Sequence, residues 1–293
     1  MEWWHAIVLG LVEGITEYLP ISSTGHLILA SSLMGLDGSA EQKSAVDAFN
    51  IVVQGGAILA VLGLYWPRVL QMIKGVFGKD REGFALARNI VIAFIPAAVL
   101  GVPLNDWIEA KLFNTWPVLI ALVIGAVYMM LLDKYKIHPR RADSASHDGI
   151  EQVGKNITEL RALDALIIGL MQCVAMWPGT SRSMMTITGG VVVGLKPKEA
   201  AEFSFLLGLP TLGGACVYKL YKDMTGEGDN MFQVLGVTPI LIGIAVATVS
   251  AALAVRWLVG FLNTHGLTPF GWYRIVLASV LGGLVLGGFI SIG

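Results

Sequence analysis

Charge is scarce in this sequence: Asp, Glu, Lys and Arg make up 14% of 293 residues, against about 25% in a soluble domain. That shortage, beside a hydrophobic content of 55%, argues against a soluble globular fold. Neither sign of charge is in excess, with 20 Lys and Arg against 21 Asp and Glu. The sequence therefore has neither the basic footprint of a nucleic-acid binder nor an acidic solvating tail. Cysteine is limited to Cys173 and Cys216, both in apolar runs, which excludes a disulfide framework and a cysteine metal site. Walker-type GxxxxGK[ST], HExxH and dinucleotide-binding glycine patterns are missing. The opening residues Met1 to His5 have no basic stretch and no small-residue cleavage site, so no removable signal peptide is expected there.

What is present is long apolar sequence rich in glycine. The chain has 35 Gly, and small residues let transmembrane helices approach closely. Six stretches approach the roughly 20 apolar residues a membrane span needs: Phe49–Trp66, Asn89–Pro103, Phe113–Leu132, Phe203–Tyr218, Met231–Val255 and Ile275–Ile292. Two more, 6–35 and 165–194, are interrupted at Leu19-Pro20 and Pro178-Gly179 and read as re-entrant helical hairpins. They align without gaps, Gly10 on Gly169, Ser22 on Ser181 and Gly35 on Gly194, and each precedes three apolar spans. Because three is odd, the second copy is inverted relative to the first, an arrangement that places sites at the repeat interface near the bilayer midplane.

The expected fold is thus an all-α polytopic membrane protein of two inverted-topology repeats, 1–132 and 162–293, joined by a polar cytoplasmic linker, 133–161. Fifteen Lys and Arg, Arg274 among them, fall on one side of the spans and four, Lys43, Lys111, Lys219 and Lys222, on the other. By the positive-inside rule this puts the 67–88 loop in the cytoplasm and both termini outside. Arg182 is left as the one basic residue expected inside an apolar segment.

Ionisable groups at membrane depth are costly and mark function by default. Glu13 and Glu17, four residues apart, share one helical face and suit a shared proton or a hard divalent cation such as Mg2+ or Ca2+. After the first break come Ser22, Ser23, Thr24, Gly25 and His26. Ser22 or Ser23 is either a helix cap, with His26 hydrogen-bonded in the core, or a nucleophile with His26 as its acid or base. After the second break Gly179, Ser181, Arg182, Ser183 and Thr186 combine a helix N-terminus, hydroxyls and a guanidinium, a composition suited to phosphate. Arg182 also serves as counter-charge to Glu13 or Glu17. Asn50, Gln54, Glu202 and Ser204 are weaker candidates for the same cavity. Carboxylates, a hydroxyl, a His and an anion grip on broken helices suit phosphoryl transfer on a phosphorylated lipid, or binding of the same anion by a transporter.

The strings Glu13-xxx-Glu17 with LPISSTGH, and PGTSRSMMT from Pro178 to Thr186, resemble the two motifs of the bacterial undecaprenyl-diphosphate phosphatase (bacitracin resistance protein) family. The E-F-S-F run Glu202–Phe205 and the order of spans resemble it too. The resemblance implies hydrolysis of undecaprenyl diphosphate on the periplasmic side of the bacterial inner membrane, renewing the lipid carrier of peptidoglycan synthesis, with a requirement for Mg2+ or Ca2+. It also implies that Glu13 and Glu17 handle metal or protons and that His26 is the acid or base, with Ser23 ranked as the nucleophile ahead of His26 or a metal-bound water. By the same resemblance Arg182, Ser181, Ser183 and Thr186 are expected to hold the diphosphate, beside Gly179, Ser22 and Thr24. A lipid-phosphate transporter or flippase is the alternative.

Overall fold

A computed structural model describes residues 1–36, 38–137, 154–226, 230–262 and 264–289. Apart from one bridge between Lys155 and Leu195, the described residues form helices and turns. The helices are α1 (Trp3–Thr16), α2 (Ser23–Leu33), α3 (Ala40–Leu64), α4 (Trp66–Val76), α5 (Arg81–Leu112), α6 (Thr115–Leu132), α7 (Ala162–Val174), α8 (Arg182–Val192), α9 (Pro197–Thr225), α10 (Met231–Leu235), α11 (Val237–Leu262) and α12 (Thr268–Leu286). Six of them, α3, α5, α6, α9, α11 and α12, are long and apolar enough to cross a membrane. The chain is a multi-pass membrane protein.

All six expected spans are found among the described residues, with corrected ends, and residues 290–292 of the last lie outside them. The stretch Asn89–Pro103 lies within a 32-residue α5 that carries Pro96 and Pro103 in its interior. Proline is tolerated there because neighbouring helices and local adjustment re-satisfy the freed carbonyls. Met231–Val255 is divided, since Gly236 at φ 82° ends α10 and α11 begins at Val237. The last span starts at Thr268 rather than Ile275, with Pro269 in its first turn, where a missing N–H costs nothing. Of the linker, 138–153 lie outside the described residues. Asp133–Ile137 extends α6 as a π-helical turn and Ile157–Glu159 is a 3-10 turn. The amphipathic α4 was not expected, because Pro67, Arg68 and Lys74 read as loop.

The four helices flanking the breaks are short, with 14 residues in α1, 11 in α2, 13 in α7 and 11 in α8. α1 packs on α11 and α7 on α5, while α3 and α9 pack on each other. Glycine decides the first two contacts. A Cβ on Gly10 would lie 2.7 Å from the Gly243 carbonyl of α11, and one on Gly14 would meet Ser250 and the Ala247 carbonyl. Gly169 meets the Ala93 carbonyl of α5 in the same way. Gly14→Ala is expected to destabilise the protein by about 1–3 kcal/mol through overpacking, read as a lowered melting temperature in detergent. An unchanged melting temperature would mean that α1 can move off α11.

Candidate active site at the two helix breaks

Both breaks are built the same way. Ser22 at φ 72° and Ser181 at φ 79° are the non-glycine residues with positive φ among those described, and each is the N-cap of the helix that follows. Ser22 Oγ accepts from the Gly25 N–H at 3.4 Å and Ser181 Oγ from the Met184 N–H at 3.3 Å. A left-handed conformation costs a non-glycine residue about 1–2 kcal/mol, while serine at the cap is worth about 1 kcal/mol over alanine and only tenths over glycine. Ser22→Gly should therefore melt above Ser22→Ala, because glycine relieves strain that alanine keeps. The reverse order would show that the cap bond outweighs the strain.

The turns aim α2 and α8 so that Ser23 and Arg182 begin their helices facing the end of α1. Ser23 Oγ donates to Glu17 Oε2 at 2.7 Å, and Glu17 Oε1 accepts from Arg182 Nη2 at 3.1 Å. Arg182 Nη1 donates to the Ser204 carbonyl at 2.9 Å, and the Tyr18 ring faces the guanidinium at 5.2 Å. Gly208 leaves room for it, since a Cβ there would lie 3.0 Å from Nη1. Ser183 Oγ donates to the Leu19 carbonyl at 2.8 Å, tying the second break to the first, and Ser181 Oγ lies 3.0 Å from Ser183 Oγ. Thr186 Oγ donates to the Arg182 carbonyl at 2.9 Å and sits 2.6 Å from Ser204 Oγ.

This network is buried and unsaturated. Glu13 is fully buried and neither of its carboxylate oxygens has a hydrogen-bond partner; Arg182 Nε, Tyr18 Oη and Gln172 Nε2 are also unpartnered. Unmatched buried acceptors and donors are costly, and open acceptors on Glu13 with an open donor on Arg182 are what a cation and an anion would satisfy. A hard cation fits the donor set of Glu13 and Glu17. Among the described residues no third His, Cys, Asp or Glu joins them, and Mg2+ commonly takes one or two carboxylates with the remainder from phosphate and water.

A cavity of about 610 Å³ adjoins the network. Ser23 and Thr24 line it with Asn50 and Gln54, its walls include Leu27, Ile28 and Ile108, and Lys43, Lys219 and Lys222 line it where α3 starts and α9 ends. Ser23 is common to the cavity and the buried network. Glu202 does not join the site, because its Oε1 accepts from Arg68 Nε at 2.7 Å.

His26 is turned from Ser23. Its Nδ1 lies 2.7 Å from the Ser22 carbonyl, which can only accept, so Nδ1 carries the proton. In the neutral ring, Nε2 then accepts from Tyr273 Oη at 2.7 Å. Sequence reasoning passes over Tyr273 and takes its neighbour Arg274 only as a flanking charge. Arg274 counted among the cytoplasmic flanking charges, and this is corrected: it is fully buried inside α12. Arg182 is therefore not the sole basic residue at depth. The legible signal was Thr268-Pro269, a helix start that places Arg274 well into the span.

Residues 6–280 match the family described as bacitracin resistance protein BacA. The chain belongs to this family. Within the wider set of similar proteins, an undecaprenyl-diphosphatase of Deinococcus deserti is 42% identical over 294 residues, covering 100% of this chain and 99% of the relative. Undecaprenyl-diphosphatase 2 of Rhodospirillum rubrum is 44% identical over 285 residues, 96% of each chain. An undecaprenyl-diphosphatase of Bdellovibrio bacteriovorus is 40% identical over 284 residues, 96% of this chain and 95% of the relative. The match to the bacitracin resistance protein family takes in both breaks and every residue of the network described above.

Proposed function

We propose that this chain is an integral membrane phosphatase that hydrolyses undecaprenyl diphosphate to undecaprenyl phosphate and inorganic phosphate, renewing the lipid carrier of peptidoglycan synthesis and conferring bacitracin resistance. The family and the names of its relatives support the reaction. The observation that carries it to atoms is Ser23, whose hydroxyl lines the cavity and donates to the buried Glu17–Arg182 pair.

The apolar walls suit a prenyl chain and the polar floor a diphosphate. As the terminal phosphate arrives, its oxygens replace Glu17 as partner of Arg182, and the guanidinium fork with the α8 N-terminus holds them. Ser181, Ser183 and Thr186 shape this grip. Glu17, released from Arg182, takes the Ser23 proton through its Oε2 as Ser23 Oγ bonds to the terminal phosphorus. The bond from that phosphorus to the bridging oxygen breaks, and the lipid monophosphate leaves with the proton that Glu17 returns. Glu17 then takes a proton from water, which attacks the phosphoserine, and Ser23 Oγ leaves and recovers the proton. His26 holds the Ser22 carbonyl, and so the turn that presents Ser23 and Thr24. Glu13 and Glu17 are the residues that would hold Mg2+ or Ca2+, which supplies neutralisation of phosphate charge.

The equivalent caps at Ser22 and Ser181, and the equivalent contacts of Gly10 and Gly169 with the long helices α11 and α5, support two repeats, 1–132 and 162–293, about the linker 133–161. A helix of 14 residues is about 21 Å long, short of the roughly 30 Å hydrocarbon core, which supports re-entrant hairpins. Lys43, Lys219 and Lys222 belong to the face that the charge bias places outside, so the site opens to the periplasmic side of the bacterial inner membrane. A transporter needs no hydroxyl poised on a carboxylate, and the relatives' names favour hydrolysis.

The test is Ser23→Ala. Phosphate release from a prenyl diphosphate is expected to fall by about 10³-fold with substrate binding retained. Release within about threefold of the original protein would transfer the attack to a water positioned by Glu17.

A further inference from the structure

Arg274 is fully buried in α12, and among the described residues no carboxylate lies within ion-pair distance of it. An uncompensated guanidinium inside an apolar span is expensive, so its partners indicate its role. They are four backbone carbonyls. Nη2 donates to Gly179 at 2.8 Å and to Ala121 at 3.0 Å, Nη1 to Thr180 at 3.0 Å and Nε to Leu122 at 3.2 Å. Two of these carbonyls belong to the second break, directly before Ser181 and Arg182, and two belong to α6.

The surroundings are shaped to this contact. A Cβ on Gly125 of α6 would collide with the Arg274 guanidinium, and one on Gly179, at φ 91°, would lie 2.7 Å from the Val118 carbonyl. Gly125 thus provides the space that Arg274 fills, and Gly179 the turn that brings its carbonyl to Arg274. The preceding residue, Tyr273, reaches the first break through His26. One turn of α12 therefore contacts both breaks.

We infer that Arg274 is a positioning residue of the phosphate grip: by gathering the Gly179 and Thr180 carbonyls against α6 it fixes the turn that delivers Ser181 and Arg182 to the substrate. This rests on the proposed role of Arg182 in holding phosphate. The planar fork is essential to the role, since an ammonium has three donors about one point and cannot reproduce four bonds made from three nitrogens set in a plane.

Arg274→Lys keeps the charge and loses the fork. In the purified protein in detergent, kcat/KM for phosphate release from a prenyl diphosphate is expected to fall by about 30-fold, with competitive inhibition by inorganic phosphate weakened in step. In an Arg182→Ala background, read from residual turnover at high enzyme concentration, the same change is expected to cost less than about threefold, because interacting sites are not additive. A purely structural arginine would give equal losses in both backgrounds, and that result would overturn the inference. So would activity within about threefold in otherwise unchanged Arg274→Lys protein. Should Arg274→Lys fail to fold, Gly125→Ala carries the test, because its methyl group displaces the guanidinium without removing it. Loss of phosphate inhibition in Gly125→Ala supports the inference, and normal inhibition overturns it. If Arg182→Ala alone leaves turnover and phosphate inhibition intact, the reading of Arg182 fails, a result distinct from failure of Arg274 to act through it.

Discussion

Arg182→Ala is expected to lower kcat/KM for prenyl diphosphate hydrolysis by about 10³-fold or more, the scale associated with an arginine that stabilises phosphoryl-transfer charge. The guanidinium is held at Nη2 by Glu17 and at Nη1 by the Ser204 carbonyl, while Nε is buried without a partner. One donor is thus open and another is held by a carboxylate that the incoming phosphate displaces. Because the interaction forms with a group whose charge redistributes during reaction, the loss falls on kcat as well as on KM. Removing Arg182 also leaves Glu17 buried without its counter-charge, so part of the effect is a lowered melting temperature. Arg182→Lys separates the two. Its ammonium retains the ion pair and the stability, but it cannot offer the bidentate fork, so turnover stays low while melting recovers. Recovery of turnover with melting would limit Arg182 to neutralising Glu17.

Glu17→Gln is the second large effect, and it has a different signature. Glutamine keeps an oxygen to accept from Ser23 but cannot take the proton, and loss of a general base costs about 10²–10⁴-fold. The same substitution removes the internal anion that occupies Arg182 Nη2. Phosphate then no longer competes with a carboxylate for the guanidinium. Glu17→Gln is therefore expected to lower kcat by about 10³-fold, and in the presence of a chelator, where the cation that Glu13 and Glu17 would hold makes no contribution, its melting temperature should rise with inorganic phosphate more steeply than that of the original protein. Steady-state kinetics and thermal melting against phosphate concentration check both halves. A KM that rises with no loss of kcat would remove Glu17 from proton transfer and leave it as a binding group.

The candidate residues are legible in the sequence because ionisable residues are so rare in the apolar segments. Glu13, Glu17, His26 and Arg182 stood out one by one, and the Pro20 and Pro178-Gly179 breaks marked the backbone that presents them. Fold class followed from the apolar runs, and the spans were found although their ends were not. The ends fall where single residues mislead: α5 continues through Pro103, a residue that reads as a stop, and the split at Gly236 is one residue in an otherwise apolar run. Pairings across the molecule were less accessible. His26 and Ser23 share one helix face in sequence, yet the structure engages His26 with Ser22 and Tyr273, 247 residues away from it in the latter case, and engages Ser23 with Glu17. Arg274 was misplaced because a charge count assigns residues by the edge of a hydrophobic run. A guanidinium surrounded by carbonyls extends the buried segment past that edge. Ser204, a minor candidate on sequence grounds, holds Arg182 by its carbonyl and Thr186 by its hydroxyl.

The most direct measurement of the central claim is phosphate release from a prenyl diphosphate by the purified protein in detergent, where no compartments exist, with and without a chelator of divalent cations. Release over many turnovers that is suppressed by the chelator and restored by Mg2+ or Ca2+ is the predicted result. Binding of the prenyl diphosphate by folded protein, with no phosphate released under any cation, would contradict it and leave a lipid-phosphate carrier as the reading of the same residues.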